Sequence, residues 1–148
     1  MKAFNLFIFL LPLLSFSQIK VLDHSKAELI GEIEQMGIST FKCLKVDSIY
    51  TIEFYNNKDK DIISYASFSF KNENDAFNQI YNLIIAGLEK KQSSETVLEA
   101  GNGKIKLEFI KNVMGSYFRL AQFNKEGTDI KAYSLTMNKK QVEKLFGK

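Results

Sequence analysis

Hydrophobic and polar residues alternate most clearly between Tyr50 and Lys90. From Ser48 to Asn56, Tyr50, Ile52 and Phe54 fall on one side and Thr51, Glu53 and Tyr55 on the other. From Ile62 to Phe70, Ala66, Phe68 and Phe70 share a face. A period of two over eight or nine residues predicts two half-buried strands, joined by the polar turn Asn57–Asp61. The period then changes. Phe77, Ile80, Tyr81, Ile84 and Leu88 form one helical stripe, with Asn72 and Asp75 as cap candidates and Lys90 and Lys91 at the far end, where cations suit the helix dipole.

The flanking segments read in the same way. Ser25-Lys26-Ala27-Glu28 has capping-box spacing, and Leu29, Ile30, Ile33 and Met36 follow before Gly37, which predicts a first helix from Ser25 to Met36. Ile38 to Val46 reads as a strand, although Lys42 and Lys45 blur its alternation. Thr96 to Ala100 is a modest strand, and Gly101-Asn102-Gly103 is a strong hairpin turn. Lys104 to Lys111 alternates best of all, with Ile105, Leu107 and Phe109 inward. Strands over Ser116–Phe123 and Ile130–Met137 complete the set. Asn138-Lys139-Lys140-Gln141 repeats the capping-box spacing and opens a short helix carrying Val142, Leu145 and Phe146, which Gly147 ends.

The order is helix, three strands, helix, four strands, helix. The predicted fold is α+β: an antiparallel meander of about seven strands with an N-terminal, a central and a C-terminal helix packed mainly on one face. The pattern also echoes itself weakly at an offset of 67, with Asn57-Lys58-Asp59 against Asn124-Lys125-Glu126 and Phe68-Ser69-Phe70 against Leu135-Thr136-Met137. The element order from Lys104 to Phe146 resembles the strand-rich, helix-terminated repeats of Whirly- and PC4-like nucleic-acid-binding folds. No motif specific to that family is present, and none of its binding residues is carried over.

Composition sets where this domain works. Met1 to Ser17 has one lysine, an apolar run from Phe4 to Leu14 and small residues at Ser15 and Ser17. It resembles a bacterial Sec leader cleaved before Gln18, and is too short and too interrupted by Pro12 for a membrane span. Residues 18–148 are then one exported domain, periplasmic or secreted, with no stable membrane insertion after cleavage. Losing Lys2 lowers the formal charge from +3 to +2. The basic residues are all lysine except Arg119, and they are scattered, so no nucleic-acid partner is expected. Cys43 is the only cysteine, so the fold depends on packing rather than an internal disulfide, and the residue reads as a buried, inert thiol.

Sequence chemistry points away from catalysis. His24 is the only histidine, which leaves metal centres and histidine-based triads without marked partners. No nucleophile elbow, zincin motif or P-loop occurs. Asn57, Asp59 and Asp61 supply oxygens in one turn, but Lys58 and Lys60 oppose a calcium ion there. No catalytic, cofactor or metal residue is therefore assigned. Glu53, Glu99 and Glu108 on strands leave a carboxylate-dependent hydrolase as one alternative. A carrier of small apolar ligands, with a cavity between helix and sheet, is another. The leading expectation is an exported, non-catalytic binding or interaction module with a protein or glycan partner. Its candidate binding residues are Tyr55, Ile63, Tyr65 and Glu53, on the outer face of the central hairpin, and Arg119, whose planar fork suits a carboxylate. A structural ion pair with Glu108 is the competing role for Arg119.

Overall fold

A computed structural model describes residues 26–58, 61–101 and 103–148. The expected leader, His24 and Asp59 lie outside these residues, as does Asn102 of the hairpin turn. Among the described residues, eight strands form two antiparallel sheets of four, and each sheet is followed by a helix. The first sheet runs β1 (Glu28–Gln35), β2 (Ile38–Val46), β3 (Ile49–Tyr55) and β4 (Tyr65–Lys71), followed by a short 3-10 turn and α1 (Ala76–Glu89). The second runs β5 (Ser94–Ala100), β6 (Gly103–Asn112), β7 (Gly115–Phe123) and β8 (Ile130–Tyr133), followed by α2 (Lys139–Leu145). The fold is α+β and antiparallel as expected, but the described residues hold eight strands in two sheets and two helices.

Where an N-terminal helix is expected over Ser25–Met36, the chain forms strand β1, Glu28–Gln35. Its pairing with β2 shifts register twice, between Leu29 and Gly31 and between Ile33 and Glu34. Each shift breaks the period of two, and the broken alternation left an apolar spacing that mimics a helix. A helix there would also hold Gly31 in its interior at a cost of about 1 kcal/mol. In β1 that glycine serves close approach: a Cβ on Gly31 would lie 2.3 Å from the Lys144 carbonyl oxygen in α2.

The helices are exchanged between the halves. α1 follows the first sheet yet packs along β6 and β7, while α2 follows the second sheet and packs on β1 and β2. Gly87 of α1 lies against the Phe109 ring, where a Cβ would come within 2.3 Å. Buried residues of both sheets and both helices form one core. An aromatic stack ties it together: Tyr50 of β3 lies 4.2 Å from Phe77 of α1, and Phe77 lies 5.0 Å from Phe146 at the end of α2. Equivalent elements stand 66 apart, as Glu28 and Ser94, Ile49 and Gly115, and Asn72 and Asn138 show. This brings the capping asparagines into step, where an offset of 67 left them one residue out.

Local chemistry holds the ends. Asn138 and Gln141 form the expected capping box on α2. Asn72 works at longer range than expected, its Oδ1 accepting the Phe77 N–H at 2.9 Å across the 3-10 turn. The last strand is shorter than the predicted Ile130–Met137. At Ser134 the side chain enters the ladder, its Oγ accepting the Leu120 N–H at 2.8 Å. Regular pairing stops there and resumes as a single bridge between Phe118 and Met137.

Candidate functional site

The central hairpin pairs two residues out from the register expected for a turn centred on Asp59. That turn predicts Phe54 opposite Ser64 and Tyr50 opposite Phe68, whereas Phe54 pairs with Ala66, Ile52 with Phe68 and Tyr50 with Phe70. A shift of two keeps every side chain on its predicted face. Its cause is a wider loop. Asn56 adds one more bond to Ser64, but Asn57 leaves the hairpin and donates its N–H to the Tyr133 carbonyl of β8 at 2.7 Å. The Asn56 side chain accepts the Tyr133 N–H at 3.2 Å, and Lys58 Nζ donates to the Ile130 carbonyl. The edge of the second sheet thus spreads the loop of the first.

This register puts Tyr55 directly opposite Tyr65, and the rings meet edge to face with centroids 6.1 Å apart. Edge-to-face packing is a favoured geometry for aromatic pairs. Ile63 lies in the loop beyond the pair and is 72% exposed, and Ile62 and Tyr65 are exposed as well. Glu53 sits two residues along β3, opposite Ser67 instead of Tyr65. Tyr55 also forms one wall of a cleft of about 250 Å³ lined by Met36, Ile38, Thr40, Asn57 and Leu135. Met36 is fully exposed and holds a φ of 52°, a left-handed conformation uncommon outside glycine, asparagine and aspartate.

Met36, Ile38 and Leu135 were not singled out by the sequence. The expected helix puts Met36 on its apolar stripe, and Leu135, which lines the cleft, lies past the end of β8 at Tyr133. The available signal was the Met36-Gly37 pair itself, a two-residue turn between apolar runs.

Arg119 lies on the second sheet, opposite Glu108. Its Nε donates to Glu108 Oε2 at 2.8 Å, its Nη2 donates to the same oxygen, and its guanidinium lies 4.5 Å over the Tyr133 ring. Lys106 completes the network, 2.8 Å from Glu108 and 3.2 Å from Glu95. The structural partner considered for Arg119 is the one it has, and the tyrosine pair belongs to the other sheet. Among Glu53, Glu99 and Glu108, the register sets none opposite another: Glu53 faces Lys42 and Ser67, Glu99 faces Lys104, and Glu108 faces Glu95 and Arg119.

Burial raises the Glu108 carboxyl, but hydrogen bonds and charge from Lys106 and Arg119 outweigh it and hold the group below its ordinary value of 4.5. A carboxyl depressed in the folded state contributes stability that is present above its unfolded pKa and is lost as pH falls through the folded one. The melting temperature should therefore drop on acidification below about pH 4.5. Glu108→Gln should flatten that acid limb while lowering stability at neutral pH, which melting curves across pH will check. Parallel acid limbs would remove Glu108 from the account. Cys43 is fully buried, opposite Ile52, and burial pushes its thiol up to about 12, so the thiolate a nucleophile requires does not form at neutral pH.

Among the described residues no three His, Cys, Asp or Glu side chains gather as a metal site. Comparison with known protein families, with curated proteins and with solved structures finds no match to this chain.

Proposed function

We propose that this chain is an exported, non-catalytic binding module of the bacterial envelope or secreted fraction, and that it takes a protein or glycan partner at the Tyr55–Tyr65 end of the first sheet. The observation that carries this reading is the aromatic pair, half-buried Tyr55 and exposed Tyr65, with its exposed apolar surroundings. Tyr65, Ile62, Ile63, Ile38 and Met36 all present exposed side chains at this end of the sheet. Tyrosine offers large contact area with a polar tip, the composition favoured where partners bind. Met36 is costly to the isolated chain twice over, through its left-handed backbone and through its exposure. Backbone strain of this kind clusters at functional sites. Glu53, on the same face as Tyr55, supplies a carboxylate at the margin.

Replacing both Tyr55 and Tyr65 with Ser should abolish capture of partners from the exported fraction. Tyr65 is exposed and the ring pair contributes about 0.5–1.5 kcal/mol beyond the area it buries, so the variant should stay folded with a modestly lowered melting temperature. Undiminished capture by the folded variant would move the binding site elsewhere. Unfolding of the variant would make the pair structural.

A further inference from the structure

We propose that a second surface, the tip of the β6–β7 hairpin with the lysines around it, docks on an anionic lipid bilayer. The hairpin turns through Val113 and Met114, between the paired residues Asn112 and Gly115. Two-residue turns favour Asn, Asp and Gly, yet both corners here are apolar, and they are 104% and 82% exposed. Asn112 does the polar work of the turn, its Oδ1 accepting the Met114 N–H at 2.9 Å. Neither apolar side chain is needed to close it.

Behind the tip, an open cleft of about 570 Å³ separates Met114 and Tyr117 from Lys139 and Lys140 of α2. Lys90, at the end of α1, and Lys111, near the end of β6, line the adjoining crevice. Four lysines therefore line the two clefts behind the apolar tip, against a single carboxylate among the lining residues, Glu89, which Lys139 already pairs at 2.8 Å, while Lys111 donates to the Ser116 hydroxyl. Tyr117, with its hydroxyl 3.5 Å from the Met114 carbonyl, adds an amphipathic ring of the kind favoured at a membrane–water boundary.

The shape and the type of charge select a bilayer over a folded partner. A convex pair of apolar side chains needs a matching pocket in a protein, whereas lipid accommodates any small apolar protrusion. The charges are all lysine, compact and on flexible stems, which suits a fluid layer of anionic headgroups better than bidentate recognition. Such stems lie along apolar surface while the ammonium stays in the headgroup layer, and the negative surface potential draws them there.

The chain contains no tryptophan, so a single introduced indole reports its own surroundings. In the full chain, Met114→Trp should show a blue-shifted emission on addition of vesicles of equal parts phosphatidylglycerol and phosphatidylcholine, and none with phosphatidylcholine alone. Ile63→Trp, at the other apolar patch, should not shift with either, which separates the tip from adsorption through any other segment. The exposed pair Lys90→Gln and Lys140→Gln should weaken binding roughly 20- to 30-fold, since each lysine near such a surface is worth about a factor of five. Val113→Ser with Met114→Ser should weaken it roughly tenfold or more, and added salt should weaken it further. Circular dichroism will show whether these exposed substitutions leave the fold intact. An unshifted Met114→Trp spectrum, equal shifts at both positions, or equal binding to neutral vesicles would overturn the proposal. So would retention on polyglutamate without vesicle binding, which would assign the face to an acidic polypeptide. Self-association that Met114→Ser abolishes, again without vesicle binding, would assign it to a second copy of the chain.

Discussion

Phe146→Ala should destabilise the protein by about 3–5 kcal/mol, the range for removing a buried phenylalanine. The ring is 2% exposed and lies 5.0 Å from Phe77 and 5.5 Å from Tyr81, both on α1. It is also the residue that ends α2, a helix of only seven residues. A helix that short has little stability of its own, so α2 depends on its buried face. Val142 and Leu145 supply the rest of that face, and they alone would have to hold α2 once the ring is gone. Through Phe77 the same stack reaches Tyr50 on β3, so the cavity would open where the first sheet, α1 and α2 meet. Urea unfolding measures the loss. Met114→Ala, at an exposed turn, should stay within about 0.5 kcal/mol in the same experiment. A Phe146→Ala cost as small as that would mean α2 is not docked as described.

Leu107→Ala should cost about 2–5 kcal/mol. Leu107 is fully buried between Ile105 and Phe109 on the inner face of β6, opposite Leu120 of β7. Its outward neighbour provides the comparison. Alternation alone places Lys106 in solvent and predicts that Lys106→Ala changes stability by no more than about 0.5 kcal/mol. The structure raises that expectation. The Lys106 side chain is only 18% exposed and bridges Glu95 and Glu108, and charged hydrogen bonds of this kind contribute about 1.5–3 kcal/mol when both partners are shielded. Partial exposure trims the expected loss to about 1–2 kcal/mol. A clearly larger loss for Lys106→Ala than for Leu107→Ala would mean that β6 faces the other way.

The Tyr55–Tyr65 end was half legible in the sequence. Tyr55, Ile63 and Tyr65 share a parity within one hairpin, and a register error of two residues preserves parity. The exposed face was therefore found although the pairing was not. Met36, Ile38 and Leu135 come from other parts of the chain, and nothing local connects them. For Arg119 the sequence offered both a ligand contact and a pair with Glu108 on the neighbouring strand, and the β6–β7 register sets Arg119 opposite Glu108.

By itself the sequence determined what depends on neighbours a few residues apart. The stripe of α1, the alternation of β6 and the capping box of α2 stand in the structure as the spacing predicts, because each is set by geometry within one or two turns or one strand. Tertiary structure alone decided the rest. β1 is a strand because β2 tolerates two register shifts beside it. The central loop is wide because β8 binds Asn57, and β8 is short because Ser134 enters its ladder. Each helix lies on the sheet of the other half because Gly31 and Gly87 leave room for it. These outcomes turn on hydrogen bonds and close approaches between segments far apart in the chain, and the free energy of such contacts exists only once the segments have met.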